Sequence, residues 1–330
     1  MDDVAAGIAI YHRHEFRRRR ALPPAAWSKG RTSLRAYADR GLPAVFVPSL
    51  VNRAYILDLA EERSLLVYAA QHGIRPFLLD WGEPGDAERA FTTENYVLGA
   101  LIPALEFVAT TTGQAPRLIG YCMGGTLAVA PAVRRPDLVS GLALLAAPWN
   151  FHADSEASRQ VLERFRPFLI PLIDALGVAP VDLLQCLFAS LDPTLVGRKF
   201  RDLARTDPAS PAAQRFVELE DWLNDGVPLA GPVAREVLFD WYVENTPFKR
   251  QWKIDGVAID PAKISRPTLA VIPSEDRIVP PASALALAEA IPGAEIASLP
   301  LGHVGMMAGG SAPNRLYRPL TEWLAKVAVH

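Results

Sequence analysis

Residues 118–126 read LIGYCMGGT, and they set a thiol, Cys122, between glycines where a short apolar run gives way to a helical one. The upstream RLIGY has the pattern of a buried strand. The downstream GGTLAVAPAVRR starts on small residues and continues as a helix, with Pro131 as a local irregularity. A strand, a tight glycine-flanked turn and a helix form a nucleophile elbow, which lifts one reactive side chain above the carboxyl end of a sheet. The residue at its tip is usually serine, so a cysteine there calls for chemistry of its own.

A nucleophile on such an elbow is followed along the chain by an acid and then a histidine, each on a loop past a strand. Of the six histidines only His303 and His330 lie beyond the long helical stretch in the second half, and His330 is the terminal residue. His303, in LPLGHVGMM, is therefore the expected base. The acid should follow the strand-like PTLAVIP, where SEDRIVPP offers Asp276, with Glu275 as the neighbouring alternative. Cys122, Asp276 and His303 then stand as nucleophile, orienting acid and base.

The remaining reactive side chains read as structural. Cys186 lies in the apolar LLQCLF, where packing is expected. His12, His14 and His72 have no partner pattern, and His12 with His14 lacks further spaced ligands, so no metal site is expected. Asp225, in DWLNDG, has the setting of a turn or helix-cap residue as well as that of a site residue. The run Arg17 to Arg20 reads as a solvated face, with contact to an anionic ligand or a partner as its alternative.

The elements that must carry these residues show in the apolar runs PAVFVP (43–48), RPFLLDW (75–81), RLIGY (117–121), GLALLAAPW (141–149) and PTLAVIP (267–273), separated by helical patterns. Strands that alternate with helices and are apolar along their whole length indicate a parallel sheet covered on both faces, an α/β fold. Between Trp149 and Lys263 the alternation stops and helical, proline-punctuated segments take over, which reads as a cap. The expected organisation is an N-terminal extension over residues 1–40, a core over 41–150 and 263–330, and a helical cap over 151–262.

With 330 residues, half of them apolar, and a formal net charge of -2, the chain can bury a large core and has no global field to draw nucleic acid. The two cysteines form no disulfide framework and point to a reducing compartment. The N-terminal charges follow the first apolar stretch, the wrong order for a secretory signal. The most apolar later segment, FLIPLIDALGVAPVDLLQCLF, is cut by Pro171, Asp174, Pro180 and Asp182 and fails as a membrane span. A cytoplasmic protein is expected.

Several stretches together resemble the polyhydroxyalkanoate synthases: VPSLVNRAYILDL (47–59), GYCMGGT (120–126), LLAAPWNF (144–151), DWLNDGVPL (221–229), SEDRIVP (274–280) and LGHVG (301–305). The resemblance covers roughly residues 40–310. It implies an α/β-hydrolase fold, with the cap inserted before the acid and histidine loops, and a Cys122–His303–Asp276 triad that polymerises (R)-3-hydroxyacyl-CoA thioesters and releases CoA. It also implies an oxyanion hole from the backbone N–H groups of Met123 and Val51, and substrate contacts at Asn52, Trp149, Asn150 and Asp225. The length resembles the short synthases that work with a second subunit, so a second subunit or a homodimer is the expected partner and a polyester granule surface an expected place. No cofactor is implied beyond the CoA thioester substrate. Ser49 stands where the family often has a second proline, and Asn150 where it often has aspartate.

The thiol now has a chemical reason. A cysteine at a helix N-terminus beside a histidine ionises readily, and its attack on an acyl-CoA exchanges one thioester for another. The acyl group stays activated for transfer, whereas a serine ester would lose much of that activation. A thioesterase or polyester depolymerase of the same fold, with water resolving the acyl-enzyme, is the alternative. An inactive granule-associated paralogue is a third reading.

Overall fold

The structure is a computed structural model that describes residues 2–18, 20–153, 156–191 and 194–327. Arg19 and His330 lie outside the described residues. Eight strands build the main sheet: β1 (Ala25–Lys29), β2 (Thr32–Ala36), β3 (Leu42–Val47), β4 (Ile74–Asp80), β5 (Arg117–Tyr121), β6 (Gly141–Leu145), β7 (Thr268–Pro273) and β8 (Glu295–Leu299). Their order across the sheet is β1-β2-β4-β3-β5-β6-β7-β8. β2 runs antiparallel to both β1 and β4, and the other neighbours are parallel. The helices used below are α1 (Asp2–Arg13), α2 (Leu65–Gln71), α3 (Ile102–Thr112), α4 (Met123–Arg134), α5 (Glu156–Leu176), α6 (Val181–Leu191), α7 (Leu195–Ala204), α8 (Pro211–Asn224), α9 (Pro281–Ala290) and α10 (Arg318–Lys326).

The central strands are apolar on both faces because both are covered, as expected for a parallel sheet. The period of two is visible in β3. Val45 and Val47 face a cluster that includes Leu105 and Val108 of α3 and Leu127 of α4, while Ala44 and Phe46 face one with Leu65 and Leu66 of α2 and Leu320 and Leu324 of α10. Each fully buried side chain of this size contributes roughly 1.5–3 kcal/mol through burial, so the sheet is the stiff platform from which the loops at its carboxyl edge project. Arg117, at the start of β5, is buried and donates from Nε to Leu324 O (3.0 Å) and from Nη2 to Val327 O (2.7 Å), closing the C-terminal end of α10.

Residues 1–40 do not form one extension outside the core. β1 and β2 are a hairpin on the sheet's edge, turned at Gly30, whose φ of 56° suits a residue without a Cβ. The hairpin is hard to read from sequence because β1 is exposed along most of its length, with Trp27 alone turned toward the core. α1 instead packs on the helical block, with Val4, Ile10 and Tyr11 against Phe200, Leu203 and Ala213. The basic run between them is not simply a solvated face. Arg20 Nε donates to Asp58 Oδ1 (2.9 Å), Arg18 Nη2 to Asp58 O (3.0 Å) and Tyr37 OH to Asp58 Oδ2 (2.9 Å). The Asp58 carboxylate is fully buried, and these partners offset the cost of burying it.

Between β6 and β7 the chain leaves the sheet and forms α5 to α8, with the short helix Gly231–Arg235 after them. Cys186 is exposed on α6, contrary to the packing role expected of it. Leu183, Leu184 and Leu187 take the inward positions, and helical spacing turns Cys186 away from them. Among the described residues, no helix is long and apolar enough to cross a membrane and no group of three or more His, Cys, Asp or Glu could hold a metal ion.

Candidate active site

The elbow is built by close backbone approach. Cys122 has φ 55° and ψ −131°, a conformation that side-chain-bearing residues rarely adopt, and it is held there by Cys122 N donating to Leu145 O (2.9 Å) and Gly125 N donating to Cys122 O (2.8 Å). The flanking glycines are required by space. A Cβ on Gly120 would lie 2.4 Å from Gly125 Cα, one on Gly124 would lie 2.2 Å from Val47 O, and one on Gly125 would lie 2.4 Å from Ala147 Cβ. α4 can therefore begin almost in contact with β3 and β6, which places Cys122 at the sheet's carboxyl edge and the N-terminus of the helix directly behind it.

The acid and the histidine arrive on the loops after β7 and β8. Asp276 Oδ1 accepts from Ile278 N and Val279 N, both at 2.8 Å, and His303 Nδ1 donates to Asp276 Oδ2 at 2.6 Å. Both side chains are buried. Glu275, the alternative acid, is exposed, and the β7 turn directs it away from the site. The two loops form one unit, because Ser274 N donates to Leu299 O (2.7 Å) and Glu275 N to Leu301 O (3.1 Å). Cys122 lies beside His303, close enough for its charge to act on the imidazole. The structure thus brings Cys122, Asp276 and His303 together.

Burial alone would push the His303 pKa down. Charge on Cys122, hydrogen bonds to Asp276 and Cys122, and the Asp276 carboxylate outweigh it, and the pKa rises from 6.5 to about 10. The imidazole is thereby a stronger proton acceptor than an ordinary histidine, flanked by a sulfur on one side and a carboxylate on the other.

The other expected site residues fall into two groups. Met123 opens α4, so its N–H is among the first-turn amides that have no acceptor within the helix, and it lies next to Cys122. Val51 N instead donates to Ser49 Oγ at 3.2 Å, so this donor is engaged within its own loop. Asn52 forms a β-bridge with Gly226, and Val51 O accepts from Val227 N (3.0 Å), which fastens the loop to the segment after α8.

Asp225 belongs to that same fastening. Its carboxylate accepts from Arg53 Nε (3.2 Å) and Tyr55 OH (3.0 Å), and the buried Trp222 donates from its indole N–H to Arg53 O (2.9 Å). The structure therefore places Asp225 as an anchor of the 51–55 loop. Trp149 is 1% exposed, donates from its backbone N to Ser283 Oγ (3.2 Å) and packs edge-on against Trp252, so it is a core residue. Asn150 Oδ1 accepts from Asn245 Nδ2 (2.9 Å) and His152 N (3.0 Å), holding the chain as it leaves β6. Motif membership drew these residues to the neighbourhood of the site. It does not say which way each side chain points.

Sequence reasoning passed over Tyr121. It is buried on the last position of β5, its hydroxyl donates to His303 O at 3.2 Å, and its ring lies 5.0 Å from the imidazole at 30° between planes. Adjacency to Cys122 was the one available signal.

The family model for the alpha/beta hydrolase fold matches residues 43–309. The chain is 30% identical to the poly(3-hydroxyalkanoate) polymerase subunit PhaC of Synechocystis sp., over 86% of this chain and 78% of that protein. It is 30% identical to the protein of the same name from Haloferax mediterranei, covering 86% of this chain and 59% of that one. It is 27% identical to that of Allochromatium vinosum, covering 86% and 80%. The chain thus spans from about three-fifths to four-fifths of the length of these relatives. Among solved structures, a hydrolase from Pseudomonas aeruginosa superposes with a TM-score of 0.57 at 17% identity, covering 89% of this chain and 94% of that one. The thioesterase domain from the curacin biosynthetic pathway gives 0.52 at 14% identity, covering 89% and 95%. These two likenesses bear on the fold alone.

Proposed function

The chain belongs to the poly(3-hydroxyalkanoate) polymerase family, within the alpha/beta hydrolase fold, and from that membership we propose that it is an acyltransferase that polymerises (R)-3-hydroxyacyl-CoA and releases CoA. The observation that carries the reading is a thiol at the tip of the elbow, beside a histidine that a buried carboxylate orients. A thiol conserves the thioester's activation where a hydroxyl would not.

The cycle starts with transfer of the Cys122 proton to His303, which gives a thiolate beside an imidazolium. The sulfur attacks the thioester carbonyl, and the charge that develops on oxygen is met by the N–H of Met123 and the N-terminal end of α4. The carbon–sulfur bond to CoA breaks, and the departing thiolate takes the proton of His303. The imidazole, now neutral and held by Asp276 in the tautomer with Nδ1–H, removes the proton from the 3-hydroxyl of the next unit. That oxygen attacks the acyl-enzyme, an ester forms, and Cys122 leaves as thiolate beside a renewed imidazolium. Protons and charges balance over the turn. A second backbone donor from the Val51 loop requires that its N–H part from Ser49 Oγ.

In a thioesterase or depolymerase, water would take the place of the hydroxyl in the second half of the cycle. The polymerase reading also brings with it a second subunit or a second copy as partner, in line with the name "polymerase subunit" of the relatives, and a polyester granule surface as the place of work. The test is to incubate the purified chain with (R)-3-hydroxybutyryl-CoA, follow free CoA with a thiol reagent, and separate polymer from 3-hydroxybutyrate by chromatography. CoA release matched by polymer supports the reading. CoA release matched by free acid makes the chain a hydrolase, and no CoA release makes it an inactive relative.

A further inference from the structure

We infer that Tyr121 is a positioning residue for the proposed reaction, its ring and its hydroxyl together fixing the angle at which the imidazole of His303 meets Cys122. The argument begins with how the site is divided. The acid and histidine loops are tied to each other by backbone hydrogen bonds from Ser274 and Glu275 to the β8 side, and by His303 to Asp276. The nucleophile belongs to a different body, the β5–α4 elbow. Register between the two bodies sets the Cys122–His303 geometry, and a shift of about 1 Å there is enough to cost on the order of a hundredfold in rate.

Tyr121 spans that division. It is the last residue of β5 and the immediate neighbour of the nucleophile, yet its hydroxyl reaches the main-chain carbonyl of His303 at 3.2 Å. Burial, followed by the charges on Cys122 and Asp276, holds its pKa well above 10, so the hydroxyl keeps its proton and remains a donor. The ring completes the fixation. Its centroid lies 5.0 Å from that of the imidazole with 30° between the planes, so the two rings pack together, which limits the imidazole's tilt and sets an aromatic ring beside any charge it carries. A leucine or isoleucine would fill similar space at the end of a buried strand but would offer neither the bond nor the face.

The inference rests on the acyl-transfer reading for its effect on rate, and a substrate-free measurement keeps the two separable. In the full chain labelled with 15N-histidine, the His303 resonance, identified by its loss in His303→Gln, is titrated in wild type, Tyr121→Phe and Tyr121→Leu. Release of CoA from 3-hydroxybutyryl-CoA is measured alongside. Wild type should titrate near 10. Tyr121→Phe should keep that value, because the ring remains, while kcat falls about fivefold with KM unchanged, the consequence of one lost hydrogen bond. Tyr121→Leu should lower the His303 pKa by about one unit and kcat by about a hundredfold.

A leucine variant with the wild-type histidine titration and a phenylalanine variant with the wild-type rate would together overturn the inference. If the leucine variant does not fold, the phenylalanine variant decides through its kcat and KM. Should wild type itself release no CoA, the acyl-transfer reading fails, and the titration still decides whether Tyr121 holds His303.

Discussion

Replacing Gly124 by alanine tests the elbow at the point where its geometry is tightest. The added Cβ would lie 2.2 Å from Val47 O and 2.4 Å from Pro48 O, both main-chain atoms that no rotamer change can move. A carbon and a carbonyl oxygen rest at about 3.3–3.6 Å, so α4 or the end of β3 must retreat by roughly 1 Å. Overpacking of this kind costs about 1–3 kcal/mol. For a chain of this length the upper figure lowers Tm by only about 4 °C. The rate should suffer far more, since the same retreat separates Cys122 and Met123 from their working positions, on the order of a hundredfold. Gly99→Ala is the control, because its Cβ would meet nothing within 4 Å. Thermal melting and CoA release, run on both variants well below Tm, give the comparison. A Gly124→Ala protein with the wild-type rate would refute the close-approach argument, as would a Gly99→Ala protein equally damaged.

The triad's electrostatics, the loop anchor and the second cysteine give three further tests. With an ordinary pKa of 6.5 and a folded value of about 10, His303 should be cationic at pH 8, and Cys122→Ala should shift its titration downward by removing the sulfur's charge and hydrogen bond; an unchanged titration by NMR would contradict that cause. Trp222→Phe keeps the buried ring but removes the donor to Arg53 O, so hydrogen exchange across residues 51–57 should quicken and CoA release fall a few-fold, at a cost of about 1 kcal/mol. Protection that stays at the wild-type level would show that Trp222 does not hold the loop. Cys186→Ala removes an exposed thiol and should leave CoA release intact, and its loss in a folded variant would move the chemistry into the helical block.

Much of the site was legible because elbow chemistry constrains order as well as type. One glycine-flanked cysteine on a strand–helix turn, one histidine on a late loop and one acid just past a strand leave few assignments, and burial separates Asp276 from Glu275. The parallel core was legible for a related reason: strands covered on both faces carry no polar alternation, and β3, β5, β6 and β7 are written that way. The edge hairpin was not, since β1 buries little and looks like any exposed segment. Trp149, Asn150 and Asp225 also carry structural contacts, to Ser283 and Trp252, to Asn245, and to Arg53 and Tyr55, which membership of a motif does not announce. The engagement of Val51 by Ser49 depends on a backbone bend that no residue pattern in VPSLVN announces.

The central claim is that Cys122 carries the acyl group as a thioester and passes it to a hydroxyl. A pulse of radiolabelled (R)-3-hydroxybutyryl-CoA, quenched in acid and digested, followed by a parallel sample chased with unlabelled substrate, tests it directly. The label should appear on the peptide containing Cys122, be absent from a folded Cys122→Ala protein, and move during the chase into polymer. Label found on another peptide, or a chase that ends wholly in free 3-hydroxybutyrate, would contradict the account.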